Sequence, residues 1–252
     1  SMQNNSSGCC IYAYNTDTID YFSQAVAAAD RVNRYLELPV TIFTNQPQES
    51  KHNVITTELP TPNYRLKNIW HNRRRTGSFD TSPYSKTLVI DSDYFLCSDT
   101  LKYHFESSKS FLIAQEIYEP ASGKLVTYNL GKTHIPMCWA TVMMFDRSDE
   151  AHAIFECAKY IEKHYLYYAT YYGFKEYPIR NDYIFSIACH LMGGYGQKSY
   201  ALKNYPLVNC ENAITYESWD GNKLIYKYLK DKVYGNRLQN MDLHMMNKDQ
   251  LK

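Results

Sequence analysis

The chain has 252 residues, 44% of them hydrophobic and 21% charged, which excludes a disordered polymer and leaves ample core for one large α/β domain or two small ones. A formal charge of +1 argues against a purely electrostatic nucleic-acid binder, although a local basic patch is compatible with it. Seven cysteines with no CxxC pair lack zinc-type spacing and read as a reduced, cytoplasmic protein, and no apolar run approaches the length of a membrane span or a secretory leader.

Residues 1–8 read as a non-native Ser-Met start followed by a flexible lead. The apolar segment 9–14 predicts a first strand, ending at Asn15-Thr16-Asp17. Residues 18–36 predict a helix, because Ile19, Phe22, Val26, Ala29, Val32 and Leu36 form a near-helical stripe that Pro39 stops. Residues 40–44 predict a second strand. This β-α-β opening is Rossmann-like, but it lacks the GxGxxG loop of dinucleotide-binding folds. Residues 45–63 carry three prolines and read as a variable stretch. Residues 64–75 read as helical, with Leu66, Ile69 and Trp70 inward.

Three more apolar runs predict strands, at 87–90, 111–115 and 140–145. A long helix is expected from Ser148 or Asp149 through Tyr172, and another from Asn181-Asp182 to Gly193-Gly194. Residues 214–216 and 224–228 flank Trp219-Asp220-Gly221-Asn222 as a hairpin. The tail 240–252 is polar with a small apolar cluster, and with so little apolar mass it reads as a lid that orders with its ligand. With no repeat and no linker, the expected architecture is a single α/β domain over 9–240, with 241–252 completing the site.

The strongest chemical signal is the abrupt end of the run Thr87-Leu88-Val89-Ile90 in Asp91-Ser92-Asp93. Open α/β sheets place ligands at the carboxyl ends of such strands. Two carboxylates there converge, and Mg²⁺ or Mn²⁺ would relieve their repulsion and carry phosphate oxygens; the plain alternative is a solvated turn. His244 offers an imidazole as a third ligand, and Lys248 a charge for a diphosphate, although from spacing alone a frayed tail is the better explanation of both. Arg73, Arg74 and Arg75 suit either phosphate or solvent, and Arg65 and Lys67 either a donor or an exposed helix face. Asp182 stands where it would cap a helix, bind a sugar hydroxyl or act as a base. Tyr12, Tyr14, Asn15 and Thr16 lie at the end of the first strand, where a nucleobase commonly sits. The 25 tyrosines supply amphipathic surface for sugars, bases or a partner, unless they reflect compositional bias.

The order of these motifs resembles the GT-A glycosyltransferases, most of all the glycogenin-like retaining branch and its short phage or bacterial members. The resemblance rests on YNTDTIDYFSQAVAAADRV, RLKNIW, SPYSKTLVIDSDYFL, ATVMMF and LHMMNK, islands spread over residues 9–248. It implies a nucleotide-sugar donor, a UDP-sugar, and a cofactor Mn²⁺ or Mg²⁺ held by Asp91, Asp93 and His244. It further implies that Asp91 approaches the ribose, that Lys248 contacts the diphosphate, and that residues 12–16 hold uracil. Lys86, with Arg65 or Lys67, would lie near the donor. The acceptor is left between modified DNA and a surface glycan. Two departures stand out: Trp139-Ala140-Thr141 replaces the family's Asn-x-Gly, and His244-x-x-x-Lys248 is shorter than the usual His-x-x-Gly-x-x-Lys. Rival readings are a nucleotide-sugar-binding or carbohydrate-binding protein without catalysis, and a haloacid-dehalogenase-like phosphatase, whose DxD normally continues with a small pair where Tyr94-Phe95 stand here.

Overall fold

The structure, a computed structural model, describes residues 6–58, 75–176 and 178–251. The helix expected over 64–75 therefore lies outside the described residues except for Arg75, which opens a short 3-10 turn, Arg75–Gly77.

The central sheet has six strands. They are β1 (Ser7–Tyr12), β2 (Val40–Thr44), β3 (Asn53–Thr56), β4 (Lys86–Ile90), β9 (Trp139–Phe145) and β6 (Phe111–Ala114), in the spatial order β3-β2-β1-β4-β9-β6. The first four in that order run parallel and β9 runs against both neighbours, so the sheet is mixed. Cys9, Cys10, Ile11, Leu88, Val89 and Ile90 are fully buried, because both faces of the sheet are covered. One face packs on α1 (Tyr21–Leu36), the other on α4 (Asp149–Lys163) and α6 (Asn181–Met192). Short helices α2 (Ser78–Thr81) and α3 (Thr100–Phe105) flank β4 and the DxD turn.

A second sheet joins β5 (Tyr94–Phe95), β14 (Leu243–Met245), β10 (Leu207–Cys210), β7 (Ile117–Glu119) and β8 (Lys124–Val126), in that order. A third, antiparallel, holds β11 (Ile214–Trp219), β12 (Lys223–Leu229) and β13 (Val233–Gln239). Among the described residues no helix is long and apolar enough to cross a membrane.

Several departures from the expected elements have a local cause. Helix α1 starts at Tyr21 rather than residue 18, because the Thr16 hydroxyl accepts the Ile19 N–H at 3.0 Å and folds residues 16–19 into a turn. Asp20 then caps the helix by accepting the Ser23 N–H at 3.0 Å. The single helix expected up to Tyr172 is broken at His164 into α4 and α5 (Tyr165–Tyr172). There Tyr165 turns inward and its hydroxyl accepts the Arg180 N–H at 3.1 Å. Strands β3 and β13 escape the sequence pattern because their side chains are largely exposed or half-buried, with only Leu238 buried in β13. The expected hairpin is present, and its turn depends on Gly221 at φ +90°. The Arg31 guanidinium donates to the Gly221 carbonyl and to that of Leu96, and a Cβ on Gly221 would meet Arg31 Nη2 at 2.5 Å.

The tail corrects the lid expectation. Leu243 and Met245 are fully buried, and β14 is an inner strand paired with β10 and β5. Asp242 fixes its start. One carboxylate oxygen accepts the Cys97 N–H at 2.8 Å, the Ser98 N–H at 3.1 Å and the Ser98 hydroxyl at 3.0 Å, and the other accepts from Tyr205, whose hydroxyl also meets that of Tyr94. Removing this acceptor leaves several buried donors unpaired. Asp242→Ala is expected to lower unfolding free energy by about 3 kcal/mol in urea titrations. An unchanged midpoint would show that β14 is held by apolar packing alone.

Candidate active site

Strand β4 delivers Asp91 to the carboxyl edge of the parallel strands. The Asp91 N–H donates to the Thr141 carbonyl at 3.0 Å, and the Tyr94 N–H donates back to the Asp91 carbonyl at 3.1 Å. The chain thus reverses within four residues and holds both carboxylates on one side. Strand register supplies the rest: His244 of β14 lies opposite Tyr94 of β5 and beside Asn209 of β10. The Met245 N–H donates to the Asp93 carbonyl at 2.9 Å, locking the two segments together.

His244 Nε2 lies 3.1 Å from Asp93 Oδ1 and 3.5 Å from Asp91 Oδ2. Its Nδ1 lies 3.0 Å from Asn209 Oδ1. Lys248 Nζ is 3.0 Å from Asp93 Oδ2 and 4.9 Å over the Tyr21 ring. Arg75, buried, pairs with Asp91 and donates to the Ala140 carbonyl at 3.1 Å, while its Nε has no hydrogen-bond partner among the described residues.

Electrostatics follow from this packing. Burial by itself would raise both carboxyls. Arg75 and His244 nevertheless hold Asp91 well below the usual carboxylate range, and His244 and Lys248 hold Asp93 down against the repulsion of Asp91. Burial would lower His244, but Asp93 and Asp91 together raise it to about 10. The donor set suits a divalent cation: one ligand atom each from Asp91, Asp93 and His244 lie within 4.8 Å of one another. Two carboxylate oxygens and an imidazole nitrogen match the preferences of Mn²⁺, and the oxygens those of Mg²⁺.

A cleft of about 450 Å³ opens beside this cluster. Its lining includes Arg75, Asp91, Asp93, Asp182, His244 and Lys248. Asp182 is the second residue of α6 rather than its cap. Its Oδ1 accepts the Ala140 N–H at 2.9 Å and its Oδ2 pairs with Arg180 at 3.0 Å. Burial pushes its carboxyl up, against the pull of Arg180.

Tyr12, Tyr14, Asn15, Thr16, Ser92 and Lys86 do not line this cleft, although the register Ile11–Ile90 sets Tyr12 beside Asp91 at the same sheet edge. Tyr12 stacks on Phe43 at 4.8 Å and shares a hydrogen bond with Thr81 at 3.0 Å, and Tyr14 is buried with its hydroxyl 3.3 Å from Thr57 Oγ1. Asn15 accepts the Phe22 N–H at 2.8 Å and Thr16 closes the turn before α1, so both serve the start of that helix. Ser92 is buried and does not line the cleft. Lys86 stands at the opposite end of β4 from Asp91 and donates to the Ser107 carbonyl at 2.6 Å, so strand direction keeps it away from the cluster. Arg65, Lys67, Arg73 and Arg74 lie outside the described residues. Arg75 is neither solvated nor free, because the Asp91 carboxylate claims it.

Sequence reasoning missed Asn209, Arg180, Tyr128 and Glu211, all of which line the cleft, as does Trp139 from the departing motif. Asn209 carried a usable signal, since it is a polar residue inside the buried run Leu207–Cys210. A partner on Nδ1 fixes the imidazole with Nε2 toward the carboxylates. Asn209→Leu, close in volume, is expected to weaken Mn²⁺ binding about 10- to 100-fold, read from free Mn²⁺ by electron paramagnetic resonance. Unaltered affinity would separate Asn209 from the orientation of His244.

No protein-family model matches the chain, and no curated protein sequence matches it. Among solved structures the chain is similar to the glycosyltransferase GlyE of Streptococcus pneumoniae TIGR4, at 15% identity over 79% of this chain and 46% of that one, with a TM-score of 0.45. It is also similar to the galactosyltransferase LgtC, solved with donor and acceptor sugar analogues, at 11% identity over 72% of this chain and 69% of that one, with a TM-score of 0.47. The chain thus spans less than half the length of the GlyE chain.

Proposed function

We propose that the protein is a metal-dependent glycosyltransferase that takes a sugar from a nucleotide-diphosphate donor, a UDP-sugar. One observation carries this reading: Asp91, Asp93 and His244 converge at a strand-end cleft, with two cations, Arg75 and Lys248, already held against the carboxylates. Asp91, Asp93 and His244 would hold Mn²⁺ or Mg²⁺, which supplies Lewis-acid stabilisation of the diphosphate. A bound cation and diphosphate would let Lys248 and Arg75 exchange carboxylate oxygens for phosphate oxygens. In the transfer, the bond between the anomeric carbon and the diphosphate breaks, an acceptor oxygen bonds to that carbon, and the acceptor proton passes to the departing diphosphate. Lys248 neutralises charge on the departing diphosphate. Asp182, in the same cleft, accepts from a donor-sugar hydroxyl.

The acceptor side of the cleft favours a saccharide over DNA. The Tyr128 and Trp139 rings meet edge to face at 6.0 Å, with Glu211 beside them and Glu119 bound to the Tyr128 hydroxyl. Aromatic faces with carboxylate acceptors suit the apolar face and hydroxyls of a sugar, whereas the same carboxylates repel phosphates.

Calorimetry with UDP, with and without Mn²⁺, tests the donor reading; binding is expected only with the metal. Asp93→Asn should cut transfer from a UDP-sugar panel into oligosaccharide acceptors by about 10²- to 10³-fold, read by mass spectrometry, while the protein remains folded. Metal-independent UDP binding of equal strength, or near-normal turnover in the variant, would overturn the assignment. Metal-dependent binding with neither transfer nor donor hydrolysis would instead make the protein a non-catalytic binder.

A further inference from the structure

We propose that the β12–β13 hairpin docks the protein onto an anionic membrane surface, its tip entering the headgroup layer. The hairpin is fixed to the body by one face only. Leu224, Tyr226 and Leu238 are buried, the Tyr226 hydroxyl donates to the Pro120 carbonyl at 3.3 Å, and Arg31 pins the turn that leads into β12. The opposite face is bare. There Ile225, Lys227 and Leu229 of β12 lie opposite Arg237, Gly235 and Val233 of β13. At the tip, Leu229 is 76% exposed and its cross-strand partner Val233 is 63% exposed. These two neighbouring aliphatic side chains, open to water at the end of the hairpin, form a small apolar patch.

Charge identifies the medium. Residues 223–239 hold five cations, Lys223, Lys227, Lys230, Lys232 and Arg237, against one acid, Asp231; the hairpin carries +4 in a chain of net +1. Asp231 is turned back, accepting from the Tyr234 hydroxyl at 2.7 Å, and leaves Lys230 and Lys232 beside the apolar tip. Of these five cations only Lys227 is drawn into an ion pair among the described residues, with Glu217 at 3.3 Å. An aliphatic tip with lysines around it follows the layering of a bilayer interface. A nucleic acid would reward the cations and exposed aromatic faces but gains nothing from Leu229 and Val233.

Flotation of the full chain with phosphatidylcholine vesicles, with and without phosphatidylglycerol, tests the proposal without nucleotide or metal. Binding is expected only to the anionic vesicles and should fall with salt. Each lysine removed should weaken it about five-fold, so Lys230→Glu with Lys232→Glu should cost at least about 25-fold. Leu229→Ser with Val233→Ser should cost at least about ten-fold. Both pairs are exposed, and unchanged thermal midpoints and Mn²⁺ binding would confirm intact variants; if the serine pair fails to fold, the glutamate pair carries the test. Absence of binding to anionic vesicles, or binding that neither pair alters, would overturn the proposal. So would tighter binding to duplex DNA, by fluorescence anisotropy, that ignores the serine pair.

Discussion

Two carboxylates placed side by side with little water around them repel one another, and the centre of this protein is arranged around that repulsion. Asp91 and Asp93 are one residue apart, and no turn can hold both charges together without cations at the same place. The chain brings three, from three separate elements: Arg75 from the turn before α2, His244 from β14, and Lys248 just beyond it. Each is polarised by the pair it neutralises, which is why His244 is raised to about 10 although burial works the other way. A divalent ion would meet the same two carboxylates, so it would take the place of cations already held there, with loss of the His244 Nε2 proton.

The surrounding architecture serves this arrangement. Parallel strands carry Asp91 to one edge of the six-stranded sheet. The second sheet then places β14 between β5 and β10, so that one register sets His244 against both Tyr94 and Asn209. The hydrogen bond from Met245 to the Asp93 carbonyl ties the sheets at the point where the charges meet. Asp182 reaches the same cleft from α6 because its carboxylate accepts the Ala140 N–H, fastening the helix to β9.

What could be read from residues alone divides along a physical line. Strands buried on both faces, such as Lys86–Ile90 and Trp139–Phe145, announce themselves as apolar runs, and the acids ending one of them stand out for that reason. Edge strands such as β3 and β13 carry no such pattern, because few of their side chains are buried. The tail is hard to read for a related reason. Leu243 and Met245 are only two apolar side chains, but they occupy an inner strand whose neighbours come from distant sequence. The choice between the roles open to Arg75 and to Asn209 likewise depends on partners that no local window contains. Lys86 opens β4 and Asp91 follows its last residue, a separation along an extended strand that chain order alone already carries.

His244 reaches Asp93 across 151 positions of chain. Closing so long a loop has an entropic cost, and contacts of this separation form only when the intervening fold is in place. A fragment that lacked either end could keep much of the six-stranded sheet and still possess no cluster at all. Any ion that engages Asp91, Asp93 and His244 together therefore binds the completed fold and not its parts. By mass action it would stabilise the whole domain, so occupancy of the cluster and resistance to unfolding become one coupled property.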